Sequence, residues 1–423
     1  MAVMSKAFFF LPLAIATAWQ QTALLADESH LRDLLWGGRA AMMGGAYTAI
    51  SDDPEGVLHN PAGTAFSGRK KFSINGTVFY DKSTRYKEAV KDQDFVQASK
   101  STLPSFIGST YLLGDFVLGQ AIITADGSDT KQTDYFNDIS VENTDFAMDF
   151  SRFQQESSRY EMYGGSIAYG FGPLGLGIST FYLAKTIKTT VHQEVVLGGG
   201  DAKAIDQSLA AEGSALGVIG GVLLRKKAWS LGATYQVNQQ LMEKMAFIQD
   251  TMQHSAGETK VTVRHVEVDK LLNFDFMYPS VGKAGIAYLV RDFIAAFDLV
   301  YQEAVMQENT PSQKLNLHDT LNASLGFEWV AGGKFYLAMG VFTNNDMTRE
   351  LDAEDSVQPD HVDFVGASFG SGFYTKDFRT TIGFVEQQGS GKSQKVQGQA
   401  EVQKVSSRSR MFILNISSAF DKG

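Results

Sequence analysis

The chain lacks cysteine altogether and has only eight prolines among its 423 residues. Without cysteine it forms neither a disulfide scaffold nor a thiolate metal site. No basic cluster exceeds Arg225-Lys226-Lys227, and acidic residues outnumber basic ones by 47 to 37, so nucleic-acid binding has little support. The longest uncharged apolar run beyond the N-terminal region covers residues 215–224, which is too short for a transmembrane helix.

The first residues have the pattern of a secretory signal peptide. Lys6 precedes an apolar run over residues 7–19. That run is too short to span a bilayer as a helix. Ala16-Thr17-Ala18 and Ala26 are candidate cleavage positions, so the pattern predicts a signal peptide over residues 1–26 that is cleaved near 18 or 26. A buried N-terminal helix is the alternative.

The remainder of the chain has the rhythm of a β protein. Tight breaks flanked by β-prone runs are typical of hairpins. They occur at 112–116, 171–175, 225–229, 290–293, 331–334 and 375–378. These six breaks alternate with seven longer polar segments, among them 81–104, 126–158, 188–213 and 240–270.

This alternation predicts fourteen strands, most of 9–14 residues, and 9–11 residues suffice for a tilted strand to cross a membrane. The predicted fold class is an all-β, 14-stranded antiparallel transmembrane β-barrel over residues 71–423. We expect both termini on the side of the short turns, which is the periplasmic side in such barrels.

Side chains alternate between an apolar and a polar face in several strands. Leu321, Leu325 and Trp329 share one face of their strand, and Asn322 and Glu328 share the other. The two-residue period assigns the first set to lipid and the second to the lumen.

Three other segments are apolar or small on both faces. They cover residues 175–185, 215–224 and 335–342. The inner wall is therefore expected to be partly apolar, which argues against a general pore for hydrophilic solutes.

A compact segment rich in glycine and alanine precedes the first strand. It reads GGRAAMMGGAYTAISDDPEGVLHNPAGTAF, and we expect residues 27–70 to fold inside the barrel as a hatch. Asn60 is suited to cap a turn that begins at Pro61. Arg39 is the expected partner of Asp52 or Asp53. A plug without a gating role is the alternative, and no phosphate-loop pattern is present.

The opening segment resembles the N-terminal hatch of the FadL/TodX family of outer-membrane transporters. Its matching residues are Gly37, Arg39, Gly44, Gly45, Ala46, Asp52, Asp53, Asn60, Pro61 and Ala62. Residues 278–301 are similar to a second stretch of that family. The resemblance implies passive transport of long-chain fatty acids or other hydrophobic compounds through a 14-stranded barrel. It also implies a hatch that shifts and an outer-membrane location.

The resemblance further implies lateral release of the ligand through a kink in the third strand. Gly119 is the residue there that permits a bend, although close packing of Gly119 against the hatch explains it equally well. Relatives with the same N-terminal motif act as partners in protein secretion. A structural or secretion-partner barrel without a small-molecule cargo is therefore the alternative function.

Two cations are candidates for binding a fatty-acid headgroup. Lys283 and Arg379 are predicted to point into the lumen, where they either bind a carboxylate or balance Glu328 or Asp298. The seven histidines show no ligand spacing and no nucleophile elbow is present, so the expectation is no enzyme, no cofactor and no metal site.

The expected partners are a hydrophobic ligand, outer-membrane lipid and lipopolysaccharide, and the barrel is expected to be a monomer. The acidic segment 125–138 is expected to be a loop, either a solvated one or one that holds divalent cations or meets lipopolysaccharide.

Overall fold

The computed structural model describes twelve stretches of the chain. They are residues 30, 35–68, 70–90, 93–140, 147–198, 200–255, 261–269, 278–306, 316–351, 360–375, 377–394 and 402–420. The expected signal peptide lies outside the described residues. No helix among those residues is both long and apolar enough to cross a membrane.

Strands make up most of this part of the chain, after three short helices. The helices are α1 (Gly38–Met42), α2 (Gly56–His59) and α3 (Pro61–Thr64). The strands are β1 (Lys70–Val90), β2 (Gln93–Leu113), β3 (Phe116–Ser140), β4 (Ala147–Phe171), β5 (Leu174–Leu197), β6 (Ala202–Lys226), β7 (Trp229–His254), β8 (Val261–Asp269), β9 (Val281–Val290), β10 (Phe293–Gln302), β11 (Val305–Met306), β12 (Asn316–Leu317), β13 (Thr320–Ala331), β14 (Phe335–Asn344), β15 (His361–Tyr374), β16 (Phe378–Ser393) and β17 (Gln403–Phe420).

The large sheet closes on itself because β1 pairs with both β2 and β17. All its ladders are antiparallel, and β8 and β9 pair with different parts of β7. These two strands therefore share one place in the ring, and β11 and β12 form a separate small ladder. The result is the predicted 14-stranded antiparallel barrel, and strands turn at each of the six predicted tight breaks.

The lengths of the long connections were predicted wrongly. Much of the polar segments 81–104, 126–158, 188–213 and 240–270 continues the strands, and β3 to β7 have 24 to 26 residues each. At about 3.3 Å per residue they are about 80 Å long. The backbone hydrogen bonds of a sheet do not depend on side-chain polarity, so a strand continues where both of its faces are polar. Such a strand has water on both sides. The acidic segment 125–138 is likewise part of β3 rather than a loop.

The alternation of apolar and polar residues also predicts a strand over residues 271–290 with Tyr278 on its lipid face, and this prediction is wrong in part. Its first part lies outside the described residues, and β9 begins only at Val281. Tyr278, predicted to face lipid, instead packs beside a buried cluster, with its ring centroid 6.1 Å from that of Tyr160. The two-residue alternation does not extend back through Pro279, because residues 278–280 are not in a strand.

The outer surface of the ring is apolar where the sequence pattern predicts it. Trp329 is 50% exposed whereas its neighbour Glu328 is 4% exposed. Exposed aromatic side chains collect near the short turns. They include Phe116, Phe171, Trp229, Phe293, Trp329, Phe335, Phe373, Phe378 and Phe420. Such a girdle is typical of the membrane interface of a barrel.

Labelling of intact cells tests which end of the barrel faces outward. Glu350 and Asp115 are both exposed acids, in the β14–β15 connection and the short β2–β3 turn. Because the native chain has no cysteine, a membrane-impermeant maleimide is expected to label Glu350→Cys and not Asp115→Cys. Labelling of Asp115→Cys alone would reverse the predicted topology.

Candidate functional site

The N-terminal segment folds into a compact unit because its small residues permit tight turns. Gly44 and Gly45 have φ angles of 65° and 84°, a region that glycine adopts without strain. Asn60 caps α3, since its side-chain oxygen accepts a hydrogen bond from the Ala62 N–H at 3.1 Å and Pro61 occupies the first helical position. The capping predicted from Asn60-Pro61 is therefore confirmed.

The segment contacts strands on opposite sides of the ring. Three wall serines donate hydrogen bonds to its backbone carbonyls. The pairs are Ser179 with Val57 at 2.6 Å, Ser230 with Ala49 at 2.6 Å, and Ser368 with Met42 at 2.9 Å. These serines belong to β5, β7 and β15, and a short segment reaches all three strands only from within the ring. We call residues 35–68 the hatch.

The wall has small inner side chains where the hatch lies. A Cβ atom on Gly177 would lie 2.4 Å from the Pro61 carbonyl carbon, and one on Gly340 would lie 2.3 Å from the Met43 carbonyl carbon. The apolar inner faces predicted at 175–185, 215–224 and 335–342 therefore receive the hatch. They do not line an open apolar lumen, because hatch and wall exclude water from each other.

A buried ion network joins the hatch to the wall. The Arg39 Nε donates to Glu328 at 2.6 Å, and its Nη1 donates to Asp52 at 2.8 Å and lies 3.5 Å from Asp53. The same Nη1 donates to the Tyr47 hydroxyl at 3.0 Å. The predicted pairing of Arg39 with Asp52 or Asp53 is confirmed, while the wall partner Glu328 was not predicted.

Asp52 also connects the hatch to two further strands. Arg225 lies 3.4 Å from its carboxylate, and Lys71 donates to its backbone carbonyl at 2.6 Å. Burial raises the pKa of Asp52, but the charges of Arg39, Lys71 and Arg225 outweigh it and hold the pKa below its ordinary value. The Asp52 carboxylate therefore contacts two arginines, while Lys71 binds the backbone carbonyl of the same residue.

Two other carboxylates bind backbone N–H groups of the hatch. Glu55 accepts hydrogen bonds from residues 38, 39 and 40 at the start of α1, at 2.7, 3.1 and 2.9 Å. Asp298 of β10 accepts from Tyr47 and Thr48 at 2.8 and 2.7 Å. Burial and the nearby Asp53 raise the pKa of Glu55 to about 7, although its three backbone hydrogen bonds favour the carboxylate form.

The two predicted headgroup cations occupy different surroundings. Arg379 lies 3.9 Å from Glu328, with its guanidinium carbon 4.7 Å from the Tyr336 ring centroid, so it belongs to the ion network beneath the hatch. Lys283 lies on the inner face of β9, where it pairs in register with Thr234 of β7 and Val300 of β10. It is two residues from Gly285, which packs next to Ala49 of the hatch. The structure does not bring Lys283 and Arg379 together.

The β3 ladder is unbroken at Gly119. This glycine pairs with Thr110 of β2 and Ser166 of β4, and its Cβ position would lie 2.5 Å from the Val57 side chain. These contacts favour the interpretation that Gly119 is small because the hatch packs there.

The backbone pairing of β2 with β3 ends farther from the short turn than Gly119, at the pair Phe106–Ile123. Beyond that point side chains connect the two strands. The Ser99 and Ser101 hydroxyls donate to the carbonyls of Asp129 and Gly127 at 3.2 and 3.1 Å. We call this stretch the β2–β3 seam; its side-chain bridges were not predictable from strand periodicity.

An aromatic cluster fills part of the barrel on the far side of the hatch from the short turns. Its members include Tyr86, Phe95, Phe136, Phe150, Val362 and Phe364. A cavity adjoins the cluster, and polar side chains such as Lys82, Thr130, Glu156 and Asp360 line much of it. We call this cavity and cluster the chamber, which is more polar than the sequence indicated.

Arg152 is buried at the chamber and was not predicted. It is 1% exposed, and its guanidinium carbon lies 5.7 Å from the Phe95 ring centroid. Asp134 and Glu156 lie close enough to interact with its charge. Its position between Phe150 and Gln154 on an alternating strand is the available signal, and the polar composition of residues 126–158 obscures it.

Comparisons with known proteins agree on the fold. No family model and no curated protein matches the chain. A FadL homologue from Pseudomonas aeruginosa superposes with a TM-score of 0.60 at 10% identity, over 93% of this chain and 100% of that one. The toluene transporter TodX from Pseudomonas putida gives 0.60 at 15% identity, over 93% and 100%. The Ralstonia pickettii toluene transporter TbuX gives 0.57 at 14%, over 92% and 99%.

This chain has the FadL/TodX fold. At such identities the likeness concerns architecture alone, and the resemblance inferred from the hatch residues agrees with it.

Removing Arg39 from this FadL-type hatch tests the ion network. Arg39→Met leaves Glu328 and Asp52 buried without their main partner, which typically costs about 3–5 kcal/mol. A maleimide is therefore expected to label Ala46→Cys, buried in the native hatch, at least a hundredfold faster. Arg85→Met, which removes a pair 59% and 39% exposed, is the control and leaves the rate unchanged. Equal rates in both backgrounds would mean that the network does not hold the hatch.

Replacing a wall glycine tests the close packing. Gly340→Val places a side chain against the hatch backbone, whereas Gly220→Val points into open space with nothing within 4 Å. Intact cells with a periplasmic β-lactamase are expected to hydrolyse nitrocefin several-fold faster with Gly340→Val, because a displaced hatch admits it. Identical rates for the two variants would contradict hatch packing at Gly340.

Proposed function

We propose that this chain is an outer-membrane channel for the passive movement of long-chain fatty acids or similar amphipathic molecules, gated by its hatch. The FadL/TodX fold and the apolar outer surface support this proposal. We further propose that the channel acts as a monomer with both termini in the periplasm, without ATP, cofactor or a chemical step. No group of three metal-ligating side chains occurs among the described residues.

The observation that carries the proposal is the combination of a hatch that contacts strands around the ring and a chamber that lies beyond it. The hatch reaches from β5 to β15 and is held by buried charges, so we expect it to obstruct hydrophilic solutes. The chamber beyond it offers aromatic side chains beside polar ones, which suits a molecule with a hydrocarbon part and a polar end. Each buried methylene contributes about 0.8 kcal/mol, so a long chain gains more than a short acid.

Arg152 is the residue we propose for binding the carboxylate. It is buried beside Phe95 and Tyr86, where an unpaired carboxylate would be costly. A guanidinium binds a carboxylate in a bidentate manner. Lys283, on the inner face nearer the hatch, is proposed as a second contact along the route, while Arg379 acts through the hatch.

The β2–β3 seam is the proposed lateral exit. Side-chain hydrogen bonds of Ser99 and Ser101 replace the backbone ladder there, so the strands separate at lower cost than elsewhere. We therefore propose an exit beyond Ile123 rather than at Gly119.

Uptake of labelled oleate tests the proposal in cells without a fatty-acid transporter of their own. The wild-type chain is expected to restore uptake, and Arg152→Gln to raise the half-saturating oleate concentration about tenfold, as for a lost charged hydrogen bond. Lys283→Ala is expected to have a smaller effect. Arg379→Ala is expected to increase leakage of hydrophilic solutes rather than weaken oleate binding.

Arg159→Gln is the matched control because Arg159 is exposed on the same strand as Arg152. Methyl oleate, which lacks the carboxylate, is expected to compete equally in wild type and Arg152→Gln. Absence of uptake by the wild-type chain would contradict transport and favour a secretion-partner barrel. Uptake with unchanged oleate affinity in Arg152→Gln would remove only the headgroup assignment.

A further inference from the structure

We propose that the outer wall of β16, β17, β1 and β2 binds the phosphate groups of outer-leaflet lipids. The proposal rests on the outer-membrane location proposed above but not on the cargo. It concerns the outer face of the barrel, whereas the chamber lies on the inner face of the same strands.

The position of this surface relative to the membrane follows from the exposed side chains of β17. Phe412, Leu414, Ile416 and Phe420 point outward and are exposed. This apolar stretch covers nine residues, about the length that crosses the hydrocarbon core. Phe79 pairs with Phe412 in register, and the Phe384 ring centroid lies 5.3 Å from that of Phe412. These three aromatics form a row typical of the interface of a membrane barrel.

Charged side chains begin directly above this aromatic row. The next outward row runs across four strands and consists of Glu386, Arg410, Asp81 and Lys100. Rows above it contain Arg408, Arg85, and the cross-strand pair Lys392 and Lys404. Counting Asp94, which lies 3.6 Å from Arg85, and the exposed Lys87 and Glu88, the surface has seven basic and four acidic residues. Its net positive charge lies where lipid headgroups meet a barrel.

Arg408 and Arg410 are the centre of the proposed site. Glu386 lies 2.5 Å from Arg408 and 3.7 Å from Arg410, so one carboxylate holds two guanidinium groups side by side. Their side chains remain 46% and 41% exposed. Each guanidinium has five N–H donors, and one carboxylate engages only some of them. The remaining donors face outward in a geometry that suits a phosphate.

The wall across the barrel has a different charge pattern at a comparable height. Four residues above the exposed pair Tyr163–Tyr182, one outward row consists of Arg159, Thr186, Glu212 and Lys244. Glu212 lies between the cations of the other strands. The next outward row contains one cation, Lys188, beside Ala210 and Ala246. Arg159 and Lys244 therefore provide a control with the same number of cations.

Binding of diphosphorylated lipid A to the purified full chain in detergent micelles is the test. Arg408→Gln with Arg410→Gln is expected to weaken binding at least tenfold, and raising salt from about 0.1 to 0.5 M to weaken wild-type binding because the Debye length shortens. Arg159→Gln with Lys244→Gln is expected to leave affinity unchanged. Heat-modifiable gel migration confirms that each variant remains a folded barrel.

Equal affinity of all three proteins would overturn the proposal, as would equal binding of dephosphorylated lipid A. Competition by inorganic phosphate at the concentration that lipid A requires would show a free-phosphate site and also overturn it. Oleate uptake measured on the same variants separates the two proposals, because unchanged lipid A binding with normal uptake refutes only this site, whereas absence of uptake by the wild-type chain refutes only the proposed cargo.

Discussion

The contact between Arg39 and Glu328 joins two parts of the chain that are 289 residues apart. Neither charge is stable alone in a buried position, so each side chain fixes the place of the other. The remaining hatch contacts depend on this placement, because Arg39 also orients Asp52 and Tyr47. A short segment with few large side chains thus has one position in a wide barrel.

The wall and the hatch have complementary requirements. Wall positions such as Gly177 and Gly340 are small because the hatch backbone occupies the adjacent space, and serines on three strands satisfy its carbonyls. Buried polar groups need such partners, and here the wall supplies many of them. The inner faces of the barrel are therefore complementary in shape to the hatch, and the cavity of the chamber lies beyond it.

Much of this fold could be predicted from the sequence because period-two alternation and tight turns are local signals. The six short turns, the strand number and the capping by Asn60 follow from neighbouring residues. The long polar ends of β3 to β7 were missed because polarity on both faces resembles a loop. Glu328 as the partner of Arg39, and Arg152 as a buried cation, depend on contacts between distant residues that periodicity does not encode.

Single-channel conductance in planar bilayers tests the central claim that the hatch closes the lumen. The measurement compares the full chain with a chain that lacks residues 31–67. The deletion removes the segment that contacts β5, β7 and β15 and leaves the ring of fourteen strand positions. Conductance well above that of the full chain is the predicted result. Equal conductance of the two chains would contradict the account.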